Sequence, residues 1–541
     1  MLSSCATLLT ILSFAIVPAI SNQVSTFTNP TLLGWHSDPS CIFLEEWDKT
    51  FFCATSSFLV FPGLPIYASK DLINWRLVSH ALSRPEQIPE MATSNTGQQD
   101  GPYAPTIRFR NGLFYLATSH FRRGTGEWPE VKIVIFTTPD PFDSTAWSDP
   151  IIVKDLPGLD PDIFWDDDGQ PYISFATFGI MQAALDLTDG TAGPSTNIWN
   201  GTGGRNAEGP HIYKKDGFYY LLISEGGTET NHSVTIARSP KVSGPYESYS
   251  GNPILTNKFT DEYFQTVGHA DLFQDGVGNW WGMALATRSG PAWEIYPMGR
   301  ETVLFPVKWE QGEWPELQQV RGRMSGPLPP TTRDIPGSGP FVDDPDEVDF
   351  SSGIPDNFIT WRAPKTSLFH ASPRGHPQTL RAIPSRVNLT ADDSFSPAED
   401  GLAFIARKQT STLFDYSVDI SLMPTVKGEE AGVSVFLTQQ QHIDLGIVNL
   451  PSGRKLIPHF RFRVEASGKS NITVPATTVV PVPRAWLYRP TRLYISTLND
   501  STYVFSASPA RSPREKKVLG RANGEIVSGG SGPFTGNSAL P

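Results

Sequence analysis

Apolar and polar positions alternate along this chain in short runs, separated by Gly, Pro, Asp and Asn, with almost no stretch of helical spacing. One pattern recurs five times. It reads DPSCIFLEEWDKTFFCATS from Asp38, YAPTIRFRNGLFYLATS from Tyr103, DPDIFWDDDGQPYISFA from Asp160, EGPHIYKKDGFYYLLIS from Glu208 and HADLFQDGVGNWWGMALA from His269. Each copy has a head residue, a short apolar strand, a polar turn and a second strand carrying bulky aromatics. In the Glu208 copy, Lys215-Asp216-Gly217 between two β-forming runs is a hairpin signal. The copies begin about fifty to sixty-five residues apart, a period that belongs to solenoids and propellers. Units made of strands favour the propeller. Three further segments, Tyr67 to Val78 and the stretches around Trp147 and Tyr246, fall between copies and read as outer blade strands.

The pattern ends near Pro315, after GRETVLFPVKW. Gly326 to Pro340, GPLPPTTRDIPGSGP, reads as a linker. Beyond it, the alternating runs YSVDISLM, AGVSVFLT, IDLGIVNL and TRLYISTL predict two packed sheets. The expected class is all-β, a five-bladed β-propeller followed by a β-sandwich. The expected divisions are a signal peptide over 1–21, the propeller over 22–325, the linker over 326–340, the sandwich over 341–522 and a disordered Gly/Ser-rich tail over 523–541.

Composition supports this outline. With 541 residues and 39% hydrophobic content there is material for two cores, and 46 Gly, 48 Pro and 11% aromatics suit turn-rich β structure. Nothing in a net charge of −12 suggests nucleic-acid binding, and a neutral partner is compatible with it. Leu2 to Ile20 is apolar and ends in small residues, which predicts cleavage before Asn22 and an extracellular protein. It is short for a membrane span, and no later run is long enough. Sequons at Asn200, Asn231, Asn388, Asn471 and Asn499 fit export. Cys5 leaves with the signal peptide. Cys41 and Cys53 flank the turn Trp47-Asp48-Lys49 and should face each other across the first hairpin, as a disulfide or as two buried thiols.

Propeller geometry turns the heads into chemistry. First strands surround the axis, so Asp38, Asp160, Glu208 and His269 converge on one pocket although they lie far apart in sequence. A single Asp-Pro is an ordinary turn initiator. Three acids at repeat-related positions make a catalytic cluster the better reading. Asp162 is an alternative to Asp160, because both face the same side of a strand. Asp166, Asp167 and Asp168 read as solvated turn residues.

At NPTLLGWHSDPS, SSFLVFPGLPIYASKDLINW, LDPDIFWDDDG, EGPHIYKKDGFYYLLISEGGTETNH, GHADLF and GRETVLFPVKW the sequence resembles family 43 of the glycoside hydrolases. The resemblance covers Asn29 to about Pro315. It is greatest to members with a C-terminal concanavalin-like sandwich, mostly β-xylosidases and α-L-arabinofuranosidases. With the signal peptide, it implies a secreted fungal enzyme. The resemblance implies Asp38 as general base, Glu208 as general acid and Asp160 as the residue that orients the acid and adjusts its pKa, in an inverting hydrolysis of O-glycosyl bonds. It also implies that Arg288 meets substrate hydroxyls, or else forms a surface ion pair. Phe58 and Tyr103 would wall the sugar site or serve in blade packing, with Tyr103 standing where relatives often carry Trp. Trp35 and Phe61 are further candidates for the pocket lining, and Glu225 and His232 for substrate contact. His269 would serve in a hydrogen-bond network with substrate or lie by a structural calcium on the axis. No cofactor is required.

The expected substrates are arabinoxylan, xylan or arabinan, with release of arabinose or xylose, arabinose slightly favoured. The alternatives are an endo-arabinanase and a carbohydrate-binding propeller without turnover. The second predicts loss of one acid, and all three are present.

Overall fold

The computed structural model describes residues 24–541 except 94–96, 124–128, 388, 391–400, 423, 470, 488, 530–537 and 540–541. The signal peptide, Cys5 and Asn388 lie outside the described residues. Five four-stranded antiparallel sheets make the propeller. Their first strands are Ser40–Leu44, Gly101–Arg110, Leu159–Trp165, Glu208–Lys215 and Phe264–Gln274. Their outermost strands are Arg76–Leu82, Ile151–Ile152, Thr196–Trp199, Glu247–Ser248 and Glu316–Leu317. Each first strand touches that of the next blade, and the fifth returns to the first, which closes the ring. The hairpin turns carry the left-handed residues such tight connections need: Asp216 and Gly217 have φ of 52° and 79°, Asn111 and Gly112 have 52° and 79°.

A left-handed residue recurs at the equivalent point of all five blades, just before or within the first strand. Asp38, Ala104, Asp160, Gly209 and His269 have φ between 42° and 59°. In four blades the ladder register shifts at this point, as at a bulge that re-aims a side chain. This corrects the sequence alignment of the heads. Tyr103 and Glu208 stand one residue before the equivalent position, which Ala104 and Gly209 fill.

The N-terminal segment completes the closure. Ser25–Thr28 pairs with Arg323–Gly326, and the Asn29 amide exchanges two hydrogen bonds with the Leu304 backbone, at 3.0 and 2.9 Å. The linker is strapped down along blade 1. Arg76 donates to the carbonyls of Ile335 and Gly339, both at 2.7 Å.

The sandwich has a six-stranded and a four-stranded sheet, and the four alternating runs fall on its strands. Val433, Val435, Leu437, Ile443, Leu445, Phe462, Leu493, Ile495 and Phe505 fill the space between the sheets, the inward half of a period-two pattern. The expected disordered tail is corrected. Gly524–Val527 forms a 3₁₀ turn, Ile526 and Val527 are fully buried in the sandwich core, and Ser538–Ala539 pairs with the strands at Val435 and Arg407. Two apolar residues outweigh the Gly/Ser composition around them.

The domains share a hydrophobic cluster. Trp35, Phe58, Leu59 and Val60 of the propeller pack with Ile359, Trp361, Leu402, Phe404 and Phe436. Thr360–Trp361 also pairs as a strand with Val60–Phe61.

Candidate active site

Two layers of polar side chains line the axis, two residues apart at Asp38 and Ser40, Asp160 and Asp162, and His269 and Asp271. The lower layer is an ion network. Arg108 lies 2.7 Å from Asp162 and 3.1 Å from Asp271. Asp271 also accepts from the Ser40 hydroxyl at 2.7 Å and the Tyr213 hydroxyl at 2.6 Å. Asp162 is fully buried and accepts the Ile212 N–H at 3.0 Å. It is therefore a structural ion-pair partner, and of the two acids in the third copy Asp160 is the one in the upper layer.

The upper layer holds Asp38, Asp160 and His269, with Glu208 beside them. Asp38 accepts from Arg300 Nη1 at 2.9 Å and from the Ser56 hydroxyl at 2.5 Å, and His269 Nδ1 stands 3.8 Å from it. Asp160 accepts the Gly209 N–H at 3.0 Å, one peptide from Glu208. Gly209 relieves crowding here, because a Cβ would come 3.1 Å from the His269 ring at a φ of +59°. The Glu208 side chain is 24% exposed and that of Asp38 5%, so the Glu208 carboxyl is the more open to an incoming ligand.

The three acids are held in different states. Burial opposes a charge on Asp38, but the Arg300 guanidinium, His269 and the Ser56 hydroxyl hold it below the usual carboxylate range. Burial raises Asp160, and the nearby Asp38 charge adds to this against His269 and the Gly209 N–H. Glu208 is pushed well above its ordinary value, first by burial and then by Asp160 and Asp38, with Arg300 opposing. One pocket thus sets an ionised carboxylate against a protonated carboxylic acid.

His232 lies beneath Glu208. Its Nδ1 faces the Thr266 carbonyl at 3.0 Å and so carries the proton. Its Nε2 is buried, has no hydrogen-bond partner among the described residues and lies 3.8 Å from Glu208 Oε1. Burial pushes the ring down to about 3, so it is neutral. Glu225 is a loop anchor. Its carboxylate accepts from the Thr202 N–H at 2.9 Å, the Gly204 N–H at 3.0 Å and the Thr235 hydroxyl at 2.7 Å, fixing the segment that leads into Glu208.

Residues 27–315, over half of the chain, match the family model described as Glycosyl hydrolases family 43. The chain belongs to that family. Residues 347–538 match the Beta xylosidase C-terminal Concanavalin A-like domain. The chain is 32% identical to a non-reducing end alpha-L-arabinofuranosidase of Bacteroides ovatus, over 96% of this chain and 92% of that protein. It is 29% identical to a xylosidase/arabinosidase of Humicola insolens, over 84% and 82%. A crystal structure of xylan beta-1,4-xylosidase from Bacillus halodurans superposes with a TM-score of 0.81 at 26% identity, over 95% of each chain. The protein is a glycoside hydrolase, a five-bladed propeller with a C-terminal sandwich.

In this family 43 chain, Arg288 forms an ion pair, the second of the two roles open to it, and the pair is buried rather than on the surface. Its guanidinium lies 2.5 and 2.9 Å from Glu301 and donates to the Thr410 carbonyl at 2.9 Å, tying blade 5 to the sandwich. Arg300, which the sequence reading passed over, is the arginine beside Asp38. It also approaches Thr228 at 3.4 Å and the Phe58 ring at 5.8 Å. Its signal was a charged pair, Arg300-Glu301, at the mouth of an apolar strand, since buried charges persist only when paired. Phe58 is 1% exposed. It packs between Trp35 and Tyr103, with centroids at 5.3 and 4.1 Å, and so backs the wall. Tyr103 is half-buried, its hydroxyl donating to the Gln99 carbonyl. Phe61 points into the core between blades 1 and 2.

A calcium ion beside His269 would draw on oxygen ligands around the axis. Calcium takes six to eight oxygens, and no group of His, Cys, Asp and Glu among the described residues is disposed to hold a metal. Two residues deeper, Arg108 already neutralises the axial acids. Cys41 and Cys53 are cross-strand partners joined by a disulfide. The four described sequon asparagines are exposed.

Proposed function

We propose that this hydrolase releases single pentoses, α-L-arabinofuranose or β-D-xylose, from arabinoxylan by one inverting displacement, as an exported enzyme. The observation that carries the reading is the opposed state of Asp38 and Glu208 in one pocket. Asp38, held as carboxylate, takes a proton from water as the water attacks the anomeric carbon. Glu208, held protonated, gives its proton to the leaving oxygen. Asp160 keeps the acid's pKa high and fixes the peptide that carries it. Activity falls as pH drops through the Asp38 pKa, which protonates the base, and as pH rises through the Glu208 pKa, which deprotonates the acid. The names of the relatives support a pentose substrate, with arabinose and xylose both represented.

His232 serves the acid. Its bare Nε2 can accept from a protonated Glu208 but cannot donate to the carboxylate, so it favours the protonated form. His232→Gln places an amide donor there. The alkaline limb of the kcat/KM profile is expected to move to lower pH while the acidic limb stays. An unmoved alkaline limb would remove His232 from this role.

The function is tested on xylo-oligosaccharides carrying arabinose at defined positions, with the products separated by chromatography. A monomeric pentose is expected from the first time points. Oligosaccharides as the first products would mean internal cleavage and overturn the reading.

A further inference from the structure

A cavity of about 50 Å³ lies where blade 1 meets the sandwich. Ser57 and His80 line it from the propeller, and Arg407 and Lys408 from the sandwich, while no carboxylate lines it. Lys408 has no hydrogen-bond or ion-pair partner among the described residues. Its ammonium sits over the face of Trp35, 5.5 Å from the centroid, which compensates a charge only in part. Arg407 directs Nη2 to Asp346 at 2.5 Å, and its Nε is buried without a partner. Ser57 is 2% exposed and its hydroxyl is likewise unpartnered. The ring of His80, a residue 6% exposed, makes no hydrogen bond among the described residues. His36 is already satisfied, with Nε2 at 2.7 Å from the Tyr67 hydroxyl and Nδ1 at 3.2 Å from the Gly34 carbonyl.

The cavity therefore offers N–H and O–H donors from four side chains, two of them cationic, against one unpartnered and uncharged acceptor, Asn357 Oδ1. Buried donors without acceptors are costly, and a water molecule does not cancel the charge. We infer that the cavity binds a small inorganic anion of halide size, held by Lys408 Nζ, Arg407 Nε, the His80 ring N–H and the Ser57 hydroxyl. The volume admits a halide and a water and is too small for a sugar. Burial and the adjacent Arg407 push the Lys408 ammonium down to about 7, the direction expected of a cation whose counter-ion is missing. Such an ion bridges the two domains. One wall, at His36, runs within two residues of Asp38, and another, at Thr410, is tied through Arg288 to Glu301. The competing arrangement is a neutral Lys408 with water in the cavity.

The test uses the full chain, with bromide as the probe. Crystals soaked in bromide below neutral pH are expected to show an anomalous peak within hydrogen-bonding reach of Lys408 Nζ. In solution, replacing gluconate by chloride at constant ionic strength is expected to raise Tm by about 2 °C, saturably, and Lys408→Gln removes the increment. If that variant fails to fold, Ser57→Ala is used instead and should weaken the increment. Bromide peaks confined to the outer surface mean an adventitious ion only and overturn the inference. An equal chloride increment in the wild type and the variant overturns it too.

Discussion

Glu208→Gln is expected to lower kcat/KM on arabinoxylan oligosaccharides by about 10²–10⁴-fold with the fold intact. The carboxamide is nearly the same size and cannot give a proton to the leaving oxygen. The loss should depend on the leaving group. An aryl glycoside whose phenolate departs unaided needs little protonation, so the variant should recover much of its rate there. Asp38→Asn should behave differently. The base activates water whatever the leaving group, so its loss should be of similar size on oligosaccharide and aryl glycoside. Rates on both substrate types, with circular dichroism as the folding control, separate the two roles. Equal sensitivity of the two variants to the leaving group would contradict the assignment of Glu208 as acid and Asp38 as base.

Removing everything after Pro340 is expected to abolish activity and leave an aggregating propeller. The truncation uncovers Trp35, Phe58, Leu59 and Val60, which now pack on Ile359, Trp361, Phe404 and Phe436. At about 1.5–3 kcal/mol for each large side chain, the loss is comparable to the net stability of a domain, about 5–15 kcal/mol. It also releases the loop that positions the base. The strand at Thr360–Trp361 holds Val60–Phe61, Arg362 donates its N–H to the Leu59 carbonyl at 2.8 Å, and Ser56 on the same loop bonds Asp38. Trp361→Ala is the milder form, expected to cost about 3–5 kcal/mol in urea unfolding. A soluble, monomeric and active propeller would show that the sandwich is dispensable.

The repeats made the propeller legible because strand alternation and turn chemistry are local. Lys215-Asp216-Gly217 and the aromatic second strands point to the same hairpins in sequence and structure. Register was less legible. The heads were aligned on the first chemically distinctive side chain, but what repeats is a backbone state, the left-handed residue, and in the fourth blade Gly209 occupies it. Asp38, Asp160 and Glu208 were found because they sit at these heads. Arg300 and Arg108 were not, because their partners belong to other blades and meet only when the blades pack around the axis, and Ser56 was not, because it reaches Asp38 only once blade 1 has folded. For Arg288 the choice between substrate contact and an ion pair stayed open in the sequence. Its partner Glu301 lies across a strand pair, and its other partner lies in the sandwich. In the tail, Ile526 and Val527 were hidden by the Gly and Ser around them, although two adjacent apolar residues are enough to seat a turn in a core.

The measurement that tests the central claim most directly is proton NMR of the first turnovers, read before mutarotation. The claim is that Asp38 and Glu208 act across the glycosidic bond in a single displacement. The first product signal should then be the inverted anomer: α-xylose from a β-xyloside, or β-arabinose from an α-L-arabinofuranoside. If the first sugar keeps the anomeric configuration of the substrate, a covalent intermediate is required, and the roles given to Asp38 and Glu208 are wrong.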